Sequence, residues 1–294
     1  MTGKIIKAIA GFYYIHTASG KLYQTRARGV LRRDGQKPLV GDNVEFDVIS
    51  EEKSEGNLIR VIDRRNVLIR PAVANIDQAL IVFAVREPDP NLNLLDRFLI
   101  YMGMQNIPVI IYFNKSDLNK DGLLEKYKNN YEKAGYQIIS GSTFDEETAA
   151  EIKKILMHKT TVLAGPSGVG KSSLTNLIHQ NANMEIGELS EKIKRGKQTT
   201  RHTELFCIDE DSYLLDTPGF TSLTIPELDS DDVKLYFDEF NDASEKCKFA
   251  GCRHVNEAEK ICGVKQAVAS GLISRERYEN YLQIYNEIKE SERK

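Results

Sequence analysis

The sequence predicts a multidomain α/β protein with three successive regions. Residues 1–70 contain short apolar and aromatic stretches separated by glycine-containing turns, a pattern typical of a small β-barrel. Residues 71–225 alternate strand-like and helix-like patterns, which favours a mostly parallel sheet with helices on both faces. Residues 226–294 show no strand pattern and are predicted to be helical. The length of 294 residues and the 41% hydrophobic content allow a sizeable core.

Four segments are predicted as barrel strands: KIIKAIAGFYYIHT, KLYQTRARGVL, DNVEFDVI and NLIRVIDR. In the central region the predicted strands are QALIVFAV, PVIIYF, YQIIS, KTTVLAG, LFCI and YLLD, and the helices between them are NLLDRFLIYMGMQ, GLLEKYKNNYEKAG and DEETAAEIKKILMH. No apolar run approaches the roughly 20 residues of a membrane helix, and the N-terminus lacks a signal-peptide pattern. We therefore expect a cytoplasmic protein without membrane contact, and we expect it to be a monomer. The net charge of -3 argues against a wholly basic nucleic-acid binder but not against a local basic face.

A glycine-rich loop between a predicted strand and a predicted helix matches the pattern G-x-x-x-x-G-K-[ST]. In this phosphate loop, residues 165–170, glycines let backbone N–H groups surround phosphates, and the following helix N-terminus adds positive charge. Lys171 is predicted to contact the outer phosphates, and the Ser172 hydroxyl to bind Mg²⁺. The alternative is a glycine-rich turn with a chance lysine. The predicted phosphate-binding residues are Gly165, Ser167, Gly168, Val169, Gly170, Lys171, Ser172 and Ser173.

The segment YLLDTPGF places Asp216 at the end of an apolar strand, about fifty residues downstream of the phosphate loop. We expect Asp216 to hold Mg²⁺ through water, and the Gly219 N–H to contact the terminal phosphate. A D-x-x-G match alone is often only a turn. Its position after a phosphate loop and at a strand end strengthens the functional interpretation.

The guanine loop, residues 114–117 with the sequence Asn-Lys-Ser-Asp, follows the buried strand VIIYF. The Asp117 carboxylate offers two acceptors to the two donors on one edge of guanine, whereas adenine lacks the exocyclic amine at that edge, so guanine is favoured. Asn114 is expected to tie the base to the surrounding loops, and the stem of Lys115 to lie along the base. One strand later, backbone N–H groups of Ser140 and Gly141 are candidates to contact the guanine oxygen. The alternative is a polar turn after a strand.

The two loops occur in an unusual order, because the guanine loop precedes the phosphate loop along the chain. Both matches are functional if the domain is circularly permuted. Such rewiring preserves the sheet, since chain ends usually lie close together at the surface. Strand ends still converge on one crevice, where open parallel sheets bind ligands.

The segment CKFAGCRHVNEAEKIC contains three cysteines and a histidine with the spacing C-x₄-C-x-H-x₇-C. Three thiolates and an imidazole form a closed tetrahedral site of the structural zinc type. The alternative is a coincidence of buried cysteines beside a surface histidine. We call the predicted ligands the cysteine–histidine cluster: Cys247, Cys252, His254 and Cys262.

Taken together, the barrel, the order NKSD–GPSGVGKS–DTPG and the cysteine–histidine cluster resemble ribosome small-subunit-dependent GTPase A, the RsgA or YjeQ family. The segments VGDNVEF, VANIDQ and KCKFAGCRH share this resemblance, which covers essentially the whole chain. It implies an OB-fold-like RNA-binding barrel over residues 1–70, a permuted GTPase domain over 71–225 and a zinc-binding helical domain over 226–294. It also implies GTP/GDP, Mg²⁺ and one Zn²⁺ as ligands, and late maturation of the small ribosomal subunit as the role.

Two basic stretches are candidate contacts for ribosomal RNA. One lies in the barrel region and the other follows the phosphate-loop helix, where a GTPase places its mobile switch. The alternative for each is an ordinary solvated surface. The residues are Arg26, Arg28, Arg32 and Arg33, and then Lys192, Lys194, Arg195 and Lys197. The tyrosine stripe from Tyr278 to Ile288 is expected to pack against its own domain.

A further question is which residue orients the attacking water. The glutamine that follows D-x-x-G in Ras-like GTPases is replaced here by Phe220. In the resembled family a histidine before a Thr-Thr pair is proposed for this role, and the matching position here is Gln198, a departure from the family. We expect Gln198 to orient water and Thr200, or else Thr199, to donate its hydroxyl to Mg²⁺. His202 is the alternative to Gln198. The predicted catalytic residues are Lys171, Gln198, Thr200 and Gly219.

The leading hypothesis is a GTPase that acts as a checkpoint on the small ribosomal subunit. A second is a nucleotide-gated RNA-binding adaptor with negligible hydrolysis. A third is a nucleotide-dependent regulator whose barrel binds another protein.

Overall fold

The computed structural model describes residues 1–27, 37–142, 145–185, 203–216, 223, 225 and 228–293. The chain forms two compact units. Unit one comprises Met1–Leu80, Thr143–Ala164 and Lys171–Gly219, and unit two comprises Ile81–Ser142, Gly165–Gly170 and Phe220–Lys294.

The N-terminal strands of unit one form a closed barrel with the order β1-β2-β3-β5-β4. Neighbouring strands are antiparallel except β3 and β5, which are parallel. Alternate residues face inward and build an apolar core that includes Ile15, Phe46 and Leu58, each fully buried. The strands are β1 (Thr2–Ile9), β2 (Phe12–His16), β3 (Leu22–Ala27), β4 (Asn43–Ser50) and β5 (Glu55–Val61).

The segment KIIKAIAGFYYIHT was predicted as one strand, and this is wrong. It forms the hairpin β1–β2, with Ala10 and Gly11 at the turn, both in the left-handed region at φ 50° and φ 82°. Two consecutive residues at positive φ are typical of a two-residue hairpin turn, which Ala-Gly signals less clearly than Asn-Gly. The turn was therefore concealed inside an apolar run.

Six of the remaining strands form the sheet that carries the predicted sites, and β6 pairs with β7 separately. In unit two the strand order of this sheet is β10-β9-β8. In unit one it is β8-β11-β13-β12, since β8 has residues in both units. The β10–β9 and β11–β13 pairs are parallel, and the short β12 is antiparallel to β13. The strands are β6 (Val67–Leu68), β7 (Val73–Ala74), β8 (Gln78–Ala84), β9 (Val109–Asn114), β10 (Gln137–Ser140), β11 (Thr160–Ala164), β12 (Leu205–Cys207) and β13 (Tyr213–Asp216).

Three of the described helices begin at residues suited to helix starts. The side-chain oxygens of Asn91, Asp145 and Ser274 accept backbone N–H groups in the first turns of α1, α3 and α7, where intrahelical acceptors are lacking. None of the described helices is both long and apolar enough to cross a membrane. The helices are α1 (Leu92–Gly103), α2 (Leu123–Glu132), α3 (Glu146–Leu156), α4 (Lys171–Glu185), α5 (Asn241–Ser244), α6 (Gly263–Ala269) and α7 (Arg275–Ser291).

The C-terminal part of unit two has its own apolar core, as the sequence predicts for the tyrosine stripe. Tyr281 and Tyr285 of α7 are 1% and 2% exposed and pack with Phe237 and Phe240. Short 3₁₀ turns at Ser230–Tyr236, Asp238–Phe240 and Glu259–Ile261 join the helices.

A buried arginine connects this C-terminal part to α1 within unit two. The Arg277 guanidinium is 1% exposed and forms ion pairs with Asp96 of α1 and with Glu239. It donates to both Glu239 oxygens, at 2.7 and 2.9 Å, and Asn280 donates to the second Asp96 oxygen at 2.6 Å. Because every charged oxygen here is hydrogen-bonded, the cluster tolerates burial, but removing the arginine would leave carboxylates buried without a counter-charge.

The barrel contacts β12 and β13 inside unit one. His16 Nδ1 and the Tyr213 hydroxyl lie 2.9 Å apart in a buried contact, and the ammonium of Lys7 lies 2.7 Å from a Glu204 carboxylate oxygen. Burial lowers the pKa of His16, so its ring stays neutral near neutral pH.

Candidate nucleotide and metal sites

The phosphate loop in unit two begins with a glycine that no other residue can replace. Gly165 has φ 143°, and a Cβ built there would lie 2.1 Å from the Val82 carbonyl oxygen of β8. A side chain would therefore force the loop away from the strand. Ser167 and Gly168 are exposed, whereas Val169 is 1% exposed and anchors the loop in the core.

The guanine loop and the phosphate loop contact each other within unit two. Asn114, 1% exposed, donates from Nδ2 to the Val169 carbonyl at 2.8 Å, and Tyr112 donates its hydroxyl to Asn114 Oδ1 at 3.0 Å. Gly170, at φ 98°, lies so close that a Cβ there would meet Asn114 Nδ2 at 2.2 Å. Asn114 thus joins the guanine loop to the phosphate loop, and its contact with the base stays a prediction.

Lys115 reinforces the same arrangement. Its backbone is left-handed at φ 58°, and its ammonium donates to the carbonyls of Gly168, at 3.0 Å, and of Glu87. Glu87 gave no signal in the sequence. Tyr112 was also missed, although strand alternation places it on the same face as Asn114, two residues later.

Asp117 and the β10 end complete the guanine side. Asp117 lies in the 3₁₀ turn Ser116–Leu118 and is exposed, so its carboxylate is accessible to a base. Ser140 ends β10. The Gly141 N–H donates to the Phe113 carbonyl at 3.1 Å, and the Gly141 carbonyl accepts from Ser116 N–H at 3.1 Å. The Gly141 peptide group therefore fastens the guanine loop to β10, and the contact of Ser140 and Gly141 N–H groups with a guanine oxygen stays a prediction.

The phosphate-side residues that belong to unit one cluster around the start of α4. Lys171 is 7% exposed, and Thr175 donates its hydroxyl to the Lys171 carbonyl at 3.0 Å and to Asp216 Oδ2 at 3.4 Å. Burial lowers the pKa of Lys171, partly offset by Asp216, and burial raises the pKa of Asp216, partly offset by Lys171. Thr175 was missed, although it lies one helical turn beyond Lys171.

The donor set near Asp216 fits a magnesium ion. Mg²⁺ prefers oxygen ligands and keeps several waters, and the half-buried Asp216 carboxylate and the exposed Ser172 hydroxyl are ligands of that kind. Ser173 is also exposed. Several further predicted residues lie outside the described residues: Gln198, Thr199, Thr200, His202, Gly219 and Phe220, with Arg28, Arg32, Arg33, Lys192, Lys194, Arg195 and Lys197.

The cysteine–histidine cluster is assembled in unit two. Its four ligand atoms all lie within 4.8 Å of one another. His254 Nδ1 lies 3.7 Å from Cys247 Sγ and 3.4 Å from Cys262 Sγ, close to the roughly 3.5–3.8 Å expected between neighbouring ligands of a tetrahedral zinc. Ser244 Oγ lies 3.2 Å from Nε2 and orients the ring.

The chemistry of these ligands also fits zinc. His254 is 2% exposed, and burial lowers its pKa to about 4, so the imidazole is neutral, the form that binds metals. Burial raises the pKa of the Cys252 thiol to about 12. Cys207, by contrast, lies half-buried in β12 and outside the cluster.

Connectivity and the phosphate and guanine loops together define a circularly permuted GTPase, in which strand β9 and the guanine loop precede strand β11 and the phosphate loop. The chain belongs to the RsgA GTPase family. The model of the RsgA GTPase domain matches residues 61–226, and the model of the RsgA N-terminal domain matches residues 2–57.

Relatives match almost the whole chain. The small ribosomal subunit biogenesis GTPase RsgA of Agathobacter rectalis is 48% identical, covering 98% of this chain and 98% of its own. The protein of the same name from Alkaliphilus metalliredigens is 45% identical, covering 99% of each chain. The crystal structure of YloQ, a circularly permuted GTPase, superposes with a TM-score of 0.81 at 36% identity, covering 99% of this chain and 95% of that one. YjeQ from Thermotoga maritima also gives a TM-score of 0.81, at 32% identity and 98% coverage of both chains. The predicted family, permuted fold and GTPase activity are confirmed.

Proposed function

We propose that this GTPase is a late-stage assembly and checkpoint factor for the small ribosomal subunit. The observation that carries the proposal is the match to relatives named small ribosomal subunit biogenesis GTPase RsgA, which extends over 98% and 99% of this chain. The match therefore includes the barrel and the C-terminal region as well as the GTPase elements. A chain that retains all these parts is expected to retain the role.

In this proposal the protein binds ribosomal RNA, and the subunit stimulates GTP hydrolysis. The barrel is the kind of domain that binds nucleic acid through one face and its loops, and Arg26 on β3 is exposed. The charged stretch from Lys192 to Lys197 supplies a second contact beside the predicted switch. The protein works in the cytoplasm as a monomer, and its domains are residues 1–70, 71–225 and 226–294.

The residues of the guanine loop and the phosphate loop bind the nucleotide. Asp117 selects guanine, Asn114 and Lys115 hold the two loops together, and backbone groups of the phosphate loop with Lys171 bind phosphates. The bound Mg²⁺ would neutralise phosphate charge, and Ser172, Asp216 and Thr200 would hold it. Gly219 contacts the terminal phosphate, and Gln198 positions the attacking water.

The cysteine–histidine cluster holds one structural zinc. The four ligand atoms within 4.8 Å of one another support this assignment. Four protein ligands fill a tetrahedral shell and leave no position for catalysis, so zinc stabilises the C-terminal fold.

The test is GTP hydrolysis by purified protein titrated with purified small ribosomal subunits, with large subunits as the matched control. We expect turnover to rise with small subunits only. Tight, GTP-dependent subunit binding without increased turnover would instead support the nucleotide-gated adaptor. No binding to small subunits in either nucleotide state would refute the proposal.

A further inference from the structure

A transverse row of five residues crosses the outer face of the barrel. Cross-strand pairing places Ile9 opposite Phe12, Phe12 opposite Arg26, Arg26 opposite Asn57, and Asn57 opposite Asp47. Directly opposed residues share a face of the sheet, and their sequence neighbours Thr25 and Phe46 are buried inside the barrel. We call Ile9, Phe12, Arg26, Asn57 and Asp47 the stacking row.

At the centre of the stacking row, a cation lies over an aromatic ring. The guanidinium carbon of Arg26 is 4.4 Å from the centre of the Phe12 ring, a favourable cation–π distance. Arg26 is exposed and Phe12 is half-buried. The Arg26 guanidinium forms no hydrogen bond or ion pair with the described residues, whereas the guanidinium groups of Arg60 and Arg64 pair with Glu45 and Asp42. The Phe12 ring thus contacts a guanidinium that donates no hydrogen bond to a described carboxylate.

A second aromatic residue extends the stacking surface beyond Phe12. Tyr14 follows Phe12 by two residues on β2, so it faces the same side about 7 Å further along the strand. It is half-buried and lies opposite Gln24. Two aromatic groups at this spacing offer successive stacking surfaces for two neighbouring bases.

Hydrogen-bonding groups follow the stacking surface along the same row. Asn57 carries an amide with donors and an acceptor. The order aromatic, guanidinium, amide therefore suits a planar base whose polar edge points toward Asn57 and whose phosphate lies near Arg26.

We propose that the stacking row binds an unpaired base of single-stranded RNA, with the base stacked on the Arg26–Phe12 pair and its edge at Asn57. Bases in a duplex have their faces covered by neighbouring pairs, so the ligand is a single-stranded segment. The choice of RNA rests on the proposed function, whereas the stacking chemistry rests on the barrel alone. Arg26 then serves as a stacking group and not only as a charge for phosphate.

The experiment measures binding of full-length protein to fluorescein-labelled ten-nucleotide uridine and adenosine RNAs at several salt concentrations. Arg26→Lys keeps the charge but loses the planar face, and Phe12→Leu keeps an apolar side chain without a ring. We expect each to weaken binding about five-fold or more, with an unchanged slope of log Kd against log salt. Arg60→Lys, the same change at an exposed arginine outside the row, is the control and should bind as wild type. Thermal melts establish that each variant is folded.

Three results would overturn the inference: wild type that binds neither RNA, folded variants that bind like wild type, or weakened binding in Arg26→Lys alone. The last would identify a geometry-sensitive phosphate contact. If neither RNA binds but both variants lose the small subunit, the row contacts protein and the RNA assignment is wrong.

Subunit-stimulated hydrolysis by wild type is measured in parallel. Its absence would refute the proposed function, while an effect of both row variants on RNA would still support the stacking row.

Discussion

The nucleotide loops and the cysteine–histidine cluster are both assembled in unit two, but different forces hold them. Asn114 and Lys115 of the guanine loop donate hydrogen bonds to carbonyls of the phosphate loop, and the buried Val169 side chain anchors the phosphate loop in the core. Both partners of each of these neutral or charge-assisted hydrogen bonds belong to the protein. In the cluster, three thiols and a neutral imidazole converge on one point, and as thiolates they would repel one another. The nucleotide loops are therefore expected to be organised before GTP binds, whereas the cluster needs its cation.

Removing zinc should have the largest effect. Chelation, or Cys252→Ala combined with His254→Ala, is expected to loosen the region around the cluster, because metal binding at structural zinc sites contributes about 10 kcal/mol or more to local folding. Hydrogen exchange should rise in α6, while GTP affinity stays within a few-fold of wild type as long as Arg277 of α7 remains paired with Asp96 of α1. Cys207→Ala, outside the cluster, is the control. Native protein without zinc, prepared under reducing and chelator-free conditions, would contradict this prediction.

Gly170→Ala should break the contact between the nucleotide loops. The new Cβ would meet Asn114 Nδ2 at 2.2 Å, so the Asn114–Val169 hydrogen bond is lost and the backbone is strained at φ 98°. Together these cost about 3 kcal/mol, or roughly 100-fold in GTP affinity by calorimetry. Gly135→Ala is the matched control, because Gly135 also has positive φ, 84°, but open space around its Cβ position. Equal effects of the two variants on affinity would show that the loop contact is unimportant.

Asp117→Asn should change nucleotide choice without disturbing either loop. An amide presents a donor where guanine needs an acceptor, so GTP affinity should fall about 100-fold while xanthosine triphosphate gains affinity. Asp121→Asn alters a neighbouring exposed carboxylate and should leave selectivity unchanged. Wild-type protein that binds ATP as well as GTP would remove the basis for this prediction.

Lys115→Met should reduce nucleotide affinity less, because it removes the Lys115 hydrogen bonds and leaves the Asn114 hydrogen bond in place. Charge-assisted hydrogen bonds contribute about 1.5–3 kcal/mol, and part of this is recovered by water. We expect GDP affinity to fall about tenfold, measured by fluorescence of a labelled nucleotide. Lys120→Met, an exposed lysine three residues beyond the guanine loop, serves as the control. An unchanged affinity would assign the loop contact to Asn114 alone.

Gln198→Ala should leave nucleotide affinity unchanged and affect only the chemical step. If Gln198 orients the attacking water, subunit-stimulated turnover should fall about tenfold. His202→Ala should have a smaller effect. Full activity of Gln198→Ala together with loss of activity in His202→Ala would transfer the role to the histidine.

The sequence predicted features that depend on neighbouring residues and missed those that depend on distant ones. Strand–loop–helix order, the guanine loop and the cysteine spacing are local, and the permuted fold followed from their order. The Asn114–Val169 contact joins residues 55 apart, and the Arg277–Asp96 pair joins residues 181 apart, so no local pattern signals either pairing. Gly141 shows a further limit, because a sequence does not reveal that sheet pairing already uses a given N–H.

Arg277 has a consequence for how this chain can be shortened or recombined. A protein cut after the GTPase elements would retain Asp96 in α1 but lose both Arg277 and Asn280, which donate hydrogen bonds to its carboxylate. Asp96 is 1% exposed, and its burial already raises the carboxyl pKa, so the orphaned group would take up a proton or draw water into α1. The C-terminal region is thus a part of the guanine-side fold and not a detachable accessory. A chimaera between family members would have to exchange α1, Glu239 and α7 as one piece.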